Sequence, residues 1–250
     1  MRKILGRVAA ALEKRRRCSA VIVASGSGER FGGVKKQFIS IGGVPVIKRV
    51  AMAFEASSLI DEIIVVTCAE DVDYCRQLLE GEISKLTHVT AGGKTRQKSA
   101  MAGLELMDPA SEFIAIHDGA RCLVTVEMIE KVLREAFKTG AAAAAERAVD
   151  TVKYAESDGI IKETIDRDHV WLMKTPQVFL ADMYRAGVYS AEKDEVSVTD
   201  DCMLVERLGF KVKAVDCGRE NMKLTYPEDR VIAEAILRAR SDAEMRGDGD

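Results

Sequence analysis

Three short clusters of glycines and charged residues carry the chemical content of this 250-residue chain. The first is Ser25-Gly26-Ser27-Gly28-Glu29-Arg30-Phe31-Gly32-Gly33, followed closely by Lys35, Lys36 and Gln37. Glycines let a backbone bend sharply and approach a phosphate, and successive N–H groups can then point at anionic oxygens. Spaced cations such as Arg30 and Lys36 add fixed donors for a polyphosphate. A dinucleotide fingerprint needs glycine where Phe31 stands, and a Walker A loop needs a terminal GK[ST] that is absent. By itself the loop also fits an ordinary strand-to-helix turn with a solvated basic cluster.

The second cluster, His117-Asp118-Gly119-Ala120-Arg121, follows an apolar run. Asp118 there can accept from ribose hydroxyls or help hold a metal-bound triphosphate, and Arg121 can meet a phosphate. A helix N-cap with a surface arginine is the plainer alternative. The third, Gly92-Gly93-Lys94-Thr95-Arg96-Gln97-Lys98-Ser99, would bring helix N-terminal amides near a ligand, with the Ser99 hydroxyl reaching a base edge. A plain turn fits equally. Later, Asn221-Met222-Lys223-Leu224-Thr225 offers a lysine able to reach back to the same place, or one that is simply solvated.

These clusters need elements to bring them together, and the chain supplies an alternating set. The apolar runs 19–25, 62–68, 87–91 and 113–118 read as strands, and the alanine run 141–148 reads as a buried strand. Helical stretches fall between them, at 45–56, from 71, at 95–107 and at 125–140. This alternation predicts an α/β fold, Rossmann-like, with a mostly parallel sheet and helices on both faces. In such sheets ligands bind at the carboxyl ends of the strands. The rhythm breaks after 150: two short alternating runs flank Ser157-Asp158-Gly159, a hairpin signal, so 150–170 reads as an inserted β-arm. Helices are expected again at 180–192, 199–208 and 227–240, with a strand at 211–217.

Ile4, Leu5, Val8 and Leu12 fall at helical spacing in a basic stretch, so residues 1–17 read as a helical extension, with an organellar transit segment as the other reading. The main folded domain would then span 18–240, and 241–250 would form a flexible tail. Charged residues make up 31% of the chain and the net charge is −3, which speaks against general nucleic-acid binding. No stretch has the length of a membrane span. Six scattered cysteines form no CxxC pair and read as reduced thiols of a cytoplasmic protein.

Taken in order, the segments ASGSGERFG, KKQF, GGKTRQKS, HDGAR, VDTVK, IDRDHVW, TPQVF, VTDD and NMKLTYPED resemble one family, the 2-C-methyl-D-erythritol 4-phosphate cytidylyltransferases. The likeness runs from about Ser19 to about Leu237. It implies transfer of CMP from CTP to the acceptor phosphate with Mg²⁺, in the non-mevalonate route to isoprenoids. It implies catalytic roles for Arg30, Lys36 and Lys223, and CTP contacts from Ala24, Ser25, Gly26, Gly28, Gly93, Ser99, Asp118 and Arg121. Thr151, Arg167, Thr175, Thr199 and Lys223 would hold the acceptor. The metal would sit on the CTP phosphates, with Asp118 the candidate protein ligand. A homodimer is implied, its β-arm carrying Arg167 into the partner's site.

The chain departs from the family pattern in three places. Ala24-Ser25-Gly26 stands for Ala-Ala-Gly, Lys35-Lys36-Gln37 for Pro-Lys-Gln, and Gly119 and Cys122 for alanine and proline of HDAARP. A cytidylyltransferase for another polyol phosphate, such as ribitol 5-phosphate, is the alternative reading. An NAD-dependent oxidoreductase is disfavoured by Phe31. An inactive nucleotide-binding protein is disfavoured by Arg30, Lys36 and Lys223.

Overall fold

The structure, a computed structural model, describes residues 16–26, 28, 31 and 33–247. The expected N-terminal extension, apart from Arg16 and Arg17, lies outside the described residues, as does Arg30.

Seven strands form one sheet in the order β11-β7-β10-β6-β1-β4-β5. These are β1 (Cys18–Val23), β4 (Glu62–Thr67), β5 (Leu86–Ala91), β6 (Phe113–Asp118), β7 (Ala141–Arg147), β10 (Trp171–Leu180) and β11 (Lys213–Asp216). Neighbours β6, β1, β4 and β5 run parallel, as do β11 and β7. Only β10 is antiparallel, inserted between β6 and β7. The chain moves outward from β1 to β4 and β5, then returns across β1 to β6. That reversal opens a crevice at the carboxyl ends of β1 and β6.

Alternate residues of each strand feed two apolar layers. Ala20 and Ile22 of β1, Ile63 and Val65 of β4, and Ala142 and Ala144 of β7 face one layer. Helices α1 (Val46–Ala56), α2 (Val72–Leu79), α4 (Val126–Thr139) and α7 (Asp229–Arg246) cover it. Val21, Ile64, Val66, Ala141 and Ala143 face the other, under α3 (Arg96–Leu106), α5 (Ala181–Lys193) and α6 (Cys202–Glu206). Burial on both faces explains why these strands read as continuous apolar runs.

Two small antiparallel pairs stand apart. One is β2 (Ser40–Ile41) with β3 (Val44–Pro45). The other, the expected arm, is β8 (Val152–Ala155) with β9 (Ile161–Ile165), joined through Gly159. Tyr154, Ile160 and Ile161 on the arm are more than half exposed.

Two boundaries differ from expectation. Helix α7 continues to Arg246, so the stretch from 241 is helical for most of its described length and not a tail. The helix expected over 199–208 shortens to α6, because Asp200 and Asp201 form its capping turn: Asp200 Oδ1 accepts from the Met203 amide at 3.2 Å. Among the described residues no helix is long and apolar enough to cross a membrane.

Candidate active site

The crevice at the β1/β6 edge holds a cleft of about 460 Å³ lined by the glycine clusters and their cations. Register puts Val23 beside Asp118, so the residues just past each strand meet. Ala24, Ser25 and Gly26 come from the end of β1. Lys36 and Gln37 come from a single 3₁₀ turn, Lys36–Phe38. Gly93, Lys94, Thr95 and Arg96 form the start of α3, and Asp118 to Ala120 follow β6. Lys223 reaches in from the segment before α7. A Cβ on Gly93 would fall 2.5 Å from the Lys98 Cβ, so only glycine lets the turn close this tightly before α3.

Charge is the cleft's dominant property. Among the described lining residues Lys36, Lys94, Arg96 and Lys223 face one carboxylate, Asp118. Asp118 is buried, and Arg96 Nε donates to Oδ1 at 2.9 Å while Lys223 Nζ and Arg121 Nε donate to Oδ2 at 3.0 and 3.3 Å. Burial works against its ionised form, but the charges of Arg96, Lys223 and Arg121 outweigh it and hold the carboxyl well below the usual range. Arg96 also donates to buried Asp201 at 2.6 Å, and the Tyr184 hydroxyl donates to the same carboxylate at 2.7 Å. Gln177 Oε1 accepts from the Asp201 and Cys202 amides at 3.0 and 3.2 Å.

Behind Asp118 a relay fixes the turn. His117 is fully buried, and burial pushes its imidazole down to about 3, so it is neutral. The Arg121 carbonyl, 3.5 Å from Nε2, can only accept, so Nε2 carries the hydrogen and Nδ1 accepts. The Thr175 hydroxyl, 3.0 Å away, therefore donates to Nδ1 and accepts from the Asp118 amide at 3.0 Å. Asn221 Nδ2 donates to the Thr175 carbonyl at 2.8 Å, and Arg121 Nη1 donates to the Asn221 carbonyl at 2.9 Å. Strand β10 thus ties β6 to the Lys223 segment.

A family model for 2-C-methyl-D-erythritol 4-phosphate cytidylyltransferase matches residues 18–239. The chain belongs to that family. The enzyme of that name from Caldanaerobacter subterraneus subsp. tengcongensis is 41% identical over 223 residues, 88% of this chain and 98% of the relative. The one from Geobacter metallireducens is 41% identical over 227 residues, 88% and 97% of the two chains. The crystal structure of 4-diphosphocytidyl-2C-methyl-D-erythritol synthase from Anaerococcus prevotii superposes with a TM-score of 0.83 at 33% identity, covering 91% of this chain and 99% of the other.

Of the positions the family likeness implied, Ala24, Ser25, Gly26, Lys36, Gly93, Asp118 and Lys223 share the one cleft. Gly28 stands in the loop beside it with φ of 74°, a left-handed turn favouring glycine. Three others lie beneath the cleft surface and not on it. Ser99, expected at a base edge, is fully buried: it accepts from the Ser25 hydroxyl at 2.7 Å and donates to the Thr95 carbonyl at 2.9 Å. It positions Ser25, the residue that does face the cleft. Arg121 and Thr175 are also buried, committed to Asp118, Asn221 and His117 as above. Thr199 is exposed, its hydroxyl 3.2 Å from Met203 Sδ. Thr151 and Arg167 lie with the arm, Arg167 Nη1 donating to the Val149 carbonyl at 2.6 Å. Within one chain these three do not line the cleft.

Sequence reasoning missed Arg96, which bridges Asp118 to Asp201, and Lys94 beside it. Their motif was visible, but nothing local ranks one cation of GGKTRQKS over another. It also missed Gln37, buried at the cleft wall with its amide nitrogen unpaired among the described residues.

Proposed function

We propose that this chain transfers the CMP group of CTP to 2-C-methyl-D-erythritol 4-phosphate, releasing pyrophosphate. The observation that carries the reading is the cleft itself: glycine-rich turns and, among its described lining residues, four cations around one carboxylate at a sheet edge. Family membership supplies the substrates, and the named relatives favour methylerythritol phosphate over ribitol phosphate as acceptor.

An acceptor phosphate oxygen attacks the α-phosphorus of CTP. The new P–O bond forms as the bond to the β-phosphate oxygen breaks, and pyrophosphate leaves with that electron pair. No protein nucleophile is needed, since a phosphate monoester is largely ionised near neutral pH. The obstacle is repulsion between polyanions, roughly 4 kcal/mol for unit charges about 4 Å apart at intermediate dielectric. Lys36 and Lys223 offset it and meet the charge that develops in the transition state, as does Arg30. Lys223, already 3.0 Å from Asp118, is held by that carboxylate at a fixed place in the cleft.

Mg²⁺ fits the cleft only on limited terms. Asp118 is the single carboxylate among the described lining residues, and both its oxygens already accept from cations. The triphosphate and water would therefore supply most ligands, as Mg²⁺ commonly requires. When bound, the ion would neutralise phosphate charge. A homodimer through the β8–β9 arm is our further reading: the exposed apolar residues of the arm support it, and Arg167 would then act in the partner's cleft. The six cysteines are all free thiols, which supports a cytoplasmic setting.

Pyrophosphate release tests the reading, with the four nucleoside triphosphates screened against a panel of sugar and polyol phosphates. Turnover only with CTP and methylerythritol phosphate is expected. Faster turnover with ribitol phosphate would move the acceptor assignment, and no release with any pair would end the enzyme reading.

A further inference from the structure

Lys35 stands where the loop leaves the cleft, one residue before Lys36. Its Nζ lies 2.7 Å from each Asp71 carboxylate oxygen and 3.1 Å from Glu70 Oε1. Three carboxylate oxygens match the three donors of one ammonium. Glu70 and Asp71 belong to the 3₁₀ turn Ala69–Asp71 that follows β4.

The start of the loop is fastened to the same segment, because the Cys68 thiol donates to the Ser25 carbonyl at 3.4 Å. Between these two fastenings the loop folds on itself. The Phe31 and Gly33 amides donate to the Gly28 carbonyl at 2.7 and 3.2 Å. A Cβ on Gly28 would fall 2.1 Å from the Val34 carbonyl oxygen, so the two ends of the turn are in contact. On the far side of the Lys36 turn, Phe38 packs edge-on against Tyr74 of α2 with ring centroids 5.0 Å apart.

Lys35 has φ of −69°, a value that proline's ring would impose, and among the described residues its N–H donates no hydrogen bond. The backbone here is that of a stiff turn, but lysine brings no ring to stiffen it. We propose that Lys35 is a positioning residue whose ion pair with Asp71 and Glu70 holds the turn that presents Lys36 to the cleft. The restraint comes from a side chain outside the turn where the family pattern has proline within it. The Lys35 side chain is 37% exposed and that of Glu70 67%, while buried Asp71 is at 12%, so the ammonium and its Glu70 contact are reached by solvent and that part of the hold weakens as salt screens it. The Phe38–Tyr74 contact is apolar and does not share that weakness.

The inference deepens the proposed role of Lys36 and rests on that reading, yet the hold can be measured without turnover. The probe is hydrogen exchange of residues 34–40 in the full chain without nucleotide, because the Phe38 amide donates to the Lys35 carbonyl at 3.0 Å. Wild type, Lys35→Ala, Lys35→Pro and Asp71→Asn would be compared at about 0.02 M and about 0.5 M NaCl, on either side of a Debye length of about 10 Å. Wild-type exchange should quicken several-fold with salt. Lys35→Ala and Asp71→Asn should exchange fast at both salts, and Lys35→Pro slowly at both. Assayed with CTP and acceptor, kcat should fall about tenfold in Lys35→Ala and recover, without salt dependence, in Lys35→Pro. Wild-type exchange that ignores salt would overturn the proposal, as would Lys35→Ala or Asp71→Asn behaving as wild type. If the exchange pattern holds while wild type turns over no nucleotide, the positioning role stands and the cytidylyltransferase reading fails.

Discussion

On the Asp118 side of the cleft, charge is buried. Asp201 is 1% exposed and Asp118 6%, and Arg96 bridges the two. The Asp118 carboxylate also accepts from Lys223 and Arg121 and that of Asp201 from Tyr184 of α5, while Thr175 and Gln177 of β10 accept from their backbone amides, so the positions of Arg96 and Lys223 are set by the core of the fold. On the Lys36 side, the loop is fastened from outside by a half-buried ammonium, paired with buried Asp71 and exposed Glu70, and by an aromatic edge. The first arrangement resists salt and cannot lose a member without stranding buried charge. The second leaves its ammonium and one of its two carboxylates within reach of solvent, so salt screens part of it. The cleft thus has one wall set by the core and one fastened by a partly solvated ion pair.

The largest expected effect comes from removing the bridge. Arg96→Ala leaves two buried carboxylates short of a partner and should cost on the order of 3 kcal/mol of stability, read by denaturant unfolding. A loss below about 1 kcal/mol would mean that the buried side is no more committed than the exposed one. Lys36→Ala should do the opposite: turnover falls about a hundredfold while the unfolding midpoint stays put. Wild-type turnover in that variant would remove Lys36 from catalysis.

Arg167→Ala sharpens the comparison by belonging to neither wall of its own chain. It should raise KM for the acceptor roughly tenfold and spare CTP binding. Equal loss of both would detach Arg167 from the acceptor.

A pH series tests the relay behind Asp118. Burial depresses the His117 pKa from 6.5 to about 3. Between these values the unfolded chain binds a proton that the folded chain refuses, so stability falls as pH falls below 6.5. The slope from this group should approach 1.4 kcal/mol per pH unit, about the value of one proton. His117→Asn should flatten the stability difference between about pH 5 and about pH 7. An unchanged slope would show that His117 is not the group responsible.

Much of this was legible from residue order. The strands at 62–68, 87–91 and 113–118 and the helices between them stand within a residue or two of expectation, because strands buried on both faces must be apolar throughout. The alanine run 141–145 is fully buried in β7, and only its place in the alternation told strand from helix. Strand β10 went unread. WLMKTPQVFL carries a lysine and a proline mid-strand, and its pairing with β7 shifts register between Met173 and Gln177. That break erases the periodic signal, yet this strand supplies Thr175 and Gln177 to the site.

Residue order alone dictates which residue types meet phosphate and where the backbone can turn, since glycines and cations act through properties that neighbours in the chain already define. It also determined the alternation that places their loops at one sheet edge. Which cations face the cleft depends on how distant strands and helices pack. Arg121 and Arg96 look alike in the chain, but Arg121 is buried against Asn221 and Arg96 lines the cleft. Ser99 and Thr175 were moved from contact to support for the same reason. A hydroxyl bonds whatever packing sets within about 3 Å, and that distance is fixed by strands far apart in sequence.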